Sequence, residues 1–524
     1  MYLRFVIIIV DSIYKLFNVQ IGGEELFNQR SRSKNMLRIS TFSTIASIIN
    51  ILVQFVYRTL FLSILTKEYL GIEGLFSNII QILSLTELGI GTIIAYRLYG
   101  PLEEKNIERV SAIMEFFRKT YFLIAIVITT LGVLIIPILK YLIKDHTEIP
   151  TNVSLYIVYI LFLSQSISSY FFTYKQTILI ADQRGEIVAI YNTFTTLLKS
   201  IVQIGGLYVT HDYQFSLFAS ILIGIILNWG FSLYIDRLYK DIFAYRSQIS
   251  AHLKKEIFYD LKATLCHKIG GVISTSTDNL ILSTFVGLGK LGVYSNYTLI
   301  IEAVKKIIIQ ALGNFTASIG NATLQMDREK YYMFYEKLLI INFCCVDITS
   351  ICLLVLINPF IKLWQGDDMI FSFYLVAVIV ACYYINTVRL INISFTNASG
   401  LFAKDIVRPL IEDALNLILS IYLVREYGII GVFAGTIISH LLTVGWREPL
   451  ILYKYLFQKK ISRYWFLYFK NLCVICVSYV LLQFGFHFDL HNYFQWTIQA
   501  IISSAVTFVI LMIFFYGNFK KVVG

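Results

Sequence analysis

The chain has 524 residues, of which 57% are hydrophobic and only 15% charged, and its mean hydropathy is +0.70. A water-soluble domain normally carries about 25% charged residues, so this composition excludes one and calls for a bilayer. The net charge of +11 does not mark a nucleic-acid binder, because Lys and Arg collect in the loops on one side of a membrane.

Residues 1–30 read as a cytoplasmic or interfacial extension. Tyr2–Val10 is apolar but too short to span, Asp11 ends it, and no small-residue cleavage site follows. Apolar segments then recur at about 38–65, 70–98, 117–140, 153–180, 186–209 and 213–235. A second group runs at about 263–287, 291–319, 335–358, 370–395, 405–424, 429–453, 464–486 and 493–516. The pattern predicts an all-α polytopic membrane protein of about 14 transmembrane helices. It divides into a six-helix bundle over 31–235, a cytoplasmic linker over 236–262, a second six-helix bundle over 263–457, and two additional helices with a cytoplasmic tail over 458–524.

Basic residues set the orientation. About 26, Lys105, Arg118, Lys254 and Arg463 among them, fall on one side, and about six, such as Lys140 and Lys362, on the other. Both termini are therefore expected in the cytoplasm. Pro101, Pro150 and Pro359 are expected in connections, with Pro137, Pro409 and Pro449 near helix ends. Gly431 and Gly435 make a small-xxx-small pair suited to a helix contact. Cys473 and Cys476 lie one turn apart in an apolar segment without polar company, and read as buried thiols rather than a redox pair.

The two halves share text. Arg58–Asn78 reads RTLFLSILTKEYLGIEGLFSN, and Ser276–Asn296 reads STDNLILSTFVGLGKLGVYSN. Laying Leu60–Ser63 on Leu280–Ser283 brings Arg58 and Asp278 to the same place, and Gly71 to Gly292 with a one-residue slip. A duplicated scaffold thus carries a base in one copy and an acid in the other.

Ionised groups at depth cost about 2.5–3.5 kcal/mol each and need partners or water. Arg58, Glu87, Lys199, Asp278, Glu302, Lys305, Lys306, Asp347 and Arg389 fall within the expected spans. Glu302 with Lys305 and Lys306 has the spacing of a self-neutralising pair. Arg97, Arg447 and Glu448 lie near enough to the inner face to snorkel. Arg58 has no acid one turn away, and a guanidinium there suits an anionic substrate. Lys199, Arg389 and Lys305 are further substrate-binding candidates, and the carboxylates Asp278 and Glu87 suit coupling to H⁺ or Na⁺. The loops assigned outside are short, and no G-x-x-x-x-G-K-[ST] motif occurs, which argues against an extracytoplasmic catalytic domain and against ATP-driven transport. No catalytic set and no resident cofactor are expected.

Over about residues 31–517 the chain resembles the bacterial polysaccharide export proteins, the Wzx-like flippases of the multidrug/oligosaccharidyl-lipid/polysaccharide (MOP) superfamily. The resemblance rests on YLGIEGLFSNIIQILSLTELGIGTIIAYRLYGPL, YKQTILIADQRGE, TDNLILSTFVGLGKLGVYSNY, NASGLFAKDIVRPLIEDALNLILSIYLVREYGIIGVFAGTIIS and WREPLILYKYLF. It implies two bundles related by a pseudo-two-fold axis along the membrane normal. It also implies alternating-access transfer of undecaprenyl-pyrophosphate-linked oligosaccharide across the bacterial cytoplasmic membrane, for exopolysaccharide, capsule or O-antigen synthesis. Implied partners are that lipid-linked substrate, membrane lipids, and the polysaccharide polymerase with its assembly proteins. The family's cationic cavity would fall on Arg58, then on Lys199 and Arg389. A peptidoglycan-precursor flippase and a cation-coupled drug exporter of the same superfamily stay open, as does a membrane-embedded polymerase.

Overall fold

The computed structural model describes residues 32–84, 89–245, 247–313, 319, 320, 322, 325–401, 405, 407–485 and 490–523. The N-terminal extension and Glu87 lie outside them. The chain forms two compact units, Met1–Thr66 with Leu75–Val272, and Lys67–Gly74 with Ile273–Gly524. The division falls inside a helix, α10 below, rather than in the polar stretch 236–262.

The first unit contains α1 (Arg32–Ile64), the later turns of α2 (Lys67–Leu83), α3 (Ile90–Glu103), α4 (Ile107–Ile135), α5 (Leu155–Phe172), α6 (Gln176–Ala181), α7 (Gly185–Thr210), α8 (Tyr213–Leu238), α9 (Lys240–Ala244) and the first part of α10 (Ala251–Phe285). Local chemistry marks the ends. Asn106 starts α4 by accepting from the Arg109 N–H at 2.9 Å, as N-caps do. Asp212 starts α8 by accepting from Gln214 and Phe215 N–H groups at 2.8 and 3.1 Å, and His211 turns the chain at φ 53°. The α7–α8 hairpin is then locked by Tyr191, which stacks on Phe231 at 3.8 Å and donates to Asn228 at 2.8 Å.

The second unit contains α11 (Leu288–Gly313), α12 (Arg328–Gln365), α13 (Phe373–Val388), α14 (Leu390–Ala398), α15 (Arg408–Tyr427), α16 (Ile429–Leu442), α17 (Val444–Ile451), a π-helical turn at Leu452–Phe457, α18 (Ser462–Gly485) and α19 (Tyr493–Val523). At 38 residues, α12 is roughly 57 Å long, more than a bilayer with its headgroups, so it forms the spine of this unit. Tyr335, Phe343, Phe395, Tyr453 and Phe457 pack around its first half. Gly431 and Gly435 do make a helix contact. A Cβ at Gly431 would meet the Leu423 carbonyl oxygen at 2.2 Å, and one at Gly435 the Ser420 backbone at 2.7 Å.

The shared text also packs symmetrically. A Cβ on Gly71 would lie 2.2 Å from the carbonyl oxygen of Leu288, and one on Gly292 1.9 Å from that of Lys67. Each glycine meets the main chain four residues before the other glycine. Only a residue without a side chain permits that approach.

Ten helices of the described residues are long and apolar enough to cross a membrane. The remaining expected spans, near 70–98, 263–287, 291–319 and 405–424, are helical where described but fall short of that measure. The first is divided into α2, of 17 residues, and α3, of 14. Helices α11 and α15 carry clustered charge, Glu302, Lys305 and Lys306 on one and Arg408, Glu412 and Asp413 on the other. The proline map needs correction. Pro101 lies inside α3 and Pro359 inside α12, not in connections, while Pro449 falls two residues before the end of α17, as expected. Both helices run on past the proline, because a proline within the last two turns gives up one hydrogen bond while packing holds the rest.

Candidate functional site

In the first unit, two cations share a level. The Asn50 amide donates to Thr193 at 3.1 Å, and a Cβ on Gly185 at the start of α7 would lie 3.5 Å from Ile39 near the start of α1, so the two helices run parallel. Arg58 lies eight residues past Asn50 and Lys199 six past Thr193, which puts them within roughly 3 Å of one depth. Both are half-buried. The Lys199 stem lies over Gly224 of α8, where a Cβ would meet its Cδ at 3.1 Å. Among the described residues no carboxylate neutralises Lys199.

Helix ends at one side of this unit are tied by the stretch YKQTILIADQRGE. Lys175 pairs with Asp236 at 2.7 Å, Arg184 with Asp182 at 3.0 Å, and the Tyr239 hydroxyl donates to Asp182 at 2.6 Å. Burial pushes the Asp182 carboxyl above its ordinary range, against the pull of the Tyr239 hydrogen bond and the Arg184 charge. The motif works as a structural clasp.

In the second unit, Asp278 of α10 faces a set of neutral oxygens. The Thr436 hydroxyl of α16 lies 3.4 Å from Asp278 Oδ2, and the Asn416 amide of α15 donates to Thr436 Oγ1 at 3.2 Å. The Ser420 hydroxyl lies 2.9 Å from the Val432 carbonyl oxygen and 3.0 Å from Asn416 Oδ1, two acceptors that share its one proton. Asp278 Oδ1 has no hydrogen-bond partner among the described residues, and neither has one oxygen of the buried Asp413, one turn before Asn416. A carboxylate with amide, hydroxyl and carbonyl oxygens on three helices is a donor set for a small hard cation or a proton. Among the described residues, no three His, Cys, Asp or Glu side chains gather as a metal site would.

Two other expected substrate cations are already matched. Lys305 pairs with Glu302 at 3.0 Å, the self-neutralising arrangement that their spacing suggests. Arg389, at the junction of α13 and α14, holds Glu448 through both Nε, at 3.0 Å, and Nη2. Arg408 joins the same carboxylate at 3.2 Å and also pairs with Asp405 at 2.6 Å and Glu412 at 3.0 Å. Arg447 closes on Asp405 at 3.0 Å and His440 on Glu412 at 3.4 Å. Glu448 therefore does not snorkel, whereas the Arg447 side chain stays 46% exposed. Helix α17 turns back into the bundle, leaving the Glu448 side chain only 8% exposed, so its charge is met inside. This network was not legible as a unit, since its members lie up to 59 residues apart. Arg97 likewise pairs with Glu256 at 2.6 Å.

No family model matches the sequence, and no curated protein matches it. Solved structures do. A structure titled as the lipid II flippase MurJ, inward closed, matches with a TM-score of 0.63 at 15% identity, over 91% of this chain and 99% of that one. An inward-facing MATE multidrug resistance transporter of the MOP superfamily matches with a TM-score of 0.59 at 14% identity, over 77% and 95%. A MOP superfamily transporter from Pyrococcus furiosus, titled for the reverse polarity of its binding pocket, matches with a TM-score of 0.52 at 14% identity, over 80% and 96%. The chain has the all-helical polytopic fold of MOP superfamily transporters.

Proposed function

We propose that this chain is an ion-coupled flippase that moves a polyprenyl-pyrophosphate-linked saccharide across the cytoplasmic membrane by alternating access. The observation that carries the proposal is the pair Arg58 and Lys199, held at one depth in the first unit, with no carboxylate on Lys199 among the described residues. Two cations in a low-dielectric setting attract a pyrophosphate and repel the organic cations that a drug exporter would carry. The bias of basic residues toward one set of loops supports an orientation with both termini inside.

The oligosaccharide repeat unit and the peptidoglycan precursor present the same pyrophosphate to such a pair. The likeness to the lipid II flippase favours the precursor. A match over 91% of the chain cannot leave out all of α18 and α19, whereas a match over 77% can. Complementation separates the readings. The chain is expected to restore growth to cells depleted of their lipid II flippase. Rescue only of a strain lacking a repeat-unit flippase would move the substrate to exopolysaccharide, and rescue of neither, at normal membrane abundance, would sink the flippase reading.

Asp278 is the coupling residue in this proposal, with Asn416 and Thr436 beside it. Asp278→Asn is expected to cut transport in vesicles and to abolish its response to an imposed Na⁺ or pH gradient. Transport that keeps its full gradient response would take Asp278 out of that role.

A further inference from the structure

A second buried carboxylate lies away from Asp278 and is used by nothing above. Asp347 sits midway along α12 with its side chain fully enclosed. The Asn471 amide of α18 donates to its Oδ1 at 2.9 Å, while Oδ2 has no partner among the described residues. An unpaired anion there would be very costly, so the site calls for a proton, a cation or water.

Three helices line a polar seam leading from it. Asp347 and Ser350 are one turn apart on α12, Asn471 and Ser478 two turns apart on α18, and Gln499 and Ser503 one turn apart on α19. None of the six is more than 3% exposed. The hydroxyls of Ser350, Ser478 and Ser503 have no hydrogen-bond partner among the described residues. The register of α12 against α19 is antiparallel, with Cys352 at 3.4 Å from Ser504 and the Trp496 indole donating to the Leu356 carbonyl at 3.1 Å. From Asp347 to that level is nine residues, roughly 13 Å along the helix. Buried hydroxyls without protein partners at such spacing suit water threaded between them.

The other direction is closed. The Asn471 amide also donates to the Tyr384 hydroxyl at 3.0 Å, and farther along Tyr335 donates to Asn392, whose amide reaches Tyr464 at 3.3 Å. A carboxamide donates hydrogen bonds without passing a proton on, unlike a hydroxyl or a water. Packed tyrosines fill the space around these amides.

We propose that Asp347 is a proton-binding site reached through a hydrated seam between α12, α18 and α19, open toward the end that carries Trp496. The basic-residue bias assigns that end to the outside. A proton taken from the water file joins one carboxylate oxygen, and the same O–H bond breaks when the proton returns. Among the described residues, the titratable groups facing Asp347 are Cys344 on α12, Tyr384 on α13 and Tyr468 on α18, with none from α19 and no cation. The inference stands apart from what the protein carries.

Thiol accessibility and infrared spectroscopy test it on the full chain. In a background with all seven cysteines replaced, Ser503→Cys is expected to react with a small charged methanethiosulfonate added outside intact cells. Its modification should exceed severalfold that of Ile501→Cys, which is 64% exposed on the lipid-facing side of α19. The purified protein should show a protonated-carboxyl absorption that titrates with pH and is lost in Asp347→Asn, which keeps the shape and the Asn471 contact. Equal modification of the two cysteines would mean a dry seam and overturn the proposal. A labelled seam whose carboxyl band ignores pH would overturn the proton site, since a carboxyl serving only to dock α18 has no reason to titrate.

Discussion

Replacing Glu448 with alanine is expected to destabilise the second unit by about 3–5 kcal/mol, the loss typical of breaking a buried ion pair from one side. Glu448 receives both Arg389 and Arg408, and Arg389 has no other ion-pair partner among the described residues. Removing the carboxylate leaves two guanidiniums facing each other in an enclosed space. Thermal unfolding of the detergent-solubilised protein should show a clearly lowered transition. Combining Glu448→Gln with Arg389→Gln should recover part of the loss, because no charge is then stranded at that position. A Glu448→Ala protein that melts with the parent would show that the network contributes nothing to the fold.

Arg58→Ala is expected to lower saccharide-lipid flipping by about ten- to a hundredfold at normal protein abundance, corresponding to the loss of one charge-assisted hydrogen bond of about 1.5–3 kcal/mol. Arg58→Lys should recover only part of it, since an ammonium keeps the charge and loses the planar fork that grips two phosphate oxygens. Lys199→Ala should fall between them. The measurement is transport of a fluorescent lipid-linked substrate into vesicles, with abundance checked in the same membranes. Wild-type transport by Arg58→Ala would remove the cationic pair as the substrate anchor.

Much of this was legible in the amino-acid text, for identifiable reasons. A run of twenty apolar residues has few readings other than a span, and a charge inside it stands out, which singles out Arg58, Lys199 and Asp278. The Glu302–Lys305 pair was readable because its partners are three residues apart on one helix. The oxygens around Asp278 were not. Asn416, Ser420 and Thr436 are neutral residues common in membrane helices, and nothing local says that α15 and α16 turn them toward α10. Glu448 was misjudged because depth was counted from the nearest loop. That count cannot know that α17 follows α16 into the interior with only Thr443 between them. The Asp347 seam was hidden for a similar reason, since three helices from separate stretches of chain must meet before scattered serines form a line.

The reciprocal packing of Gly71 and Gly292 has a genetic consequence. A side chain added at either position collides with a peptide carbonyl, not with another side chain. Trimming a neighbour cannot make room, because every residue type carries the same carbonyl. Selections for revertants of a Gly292→Val allele should therefore return true reversions to glycine, with Gly292→Ala and compensating changes at Lys67 or Leu288 absent. The two copies of the duplicated text are thus held to the same letter at this position, while most others around them have been free to diverge.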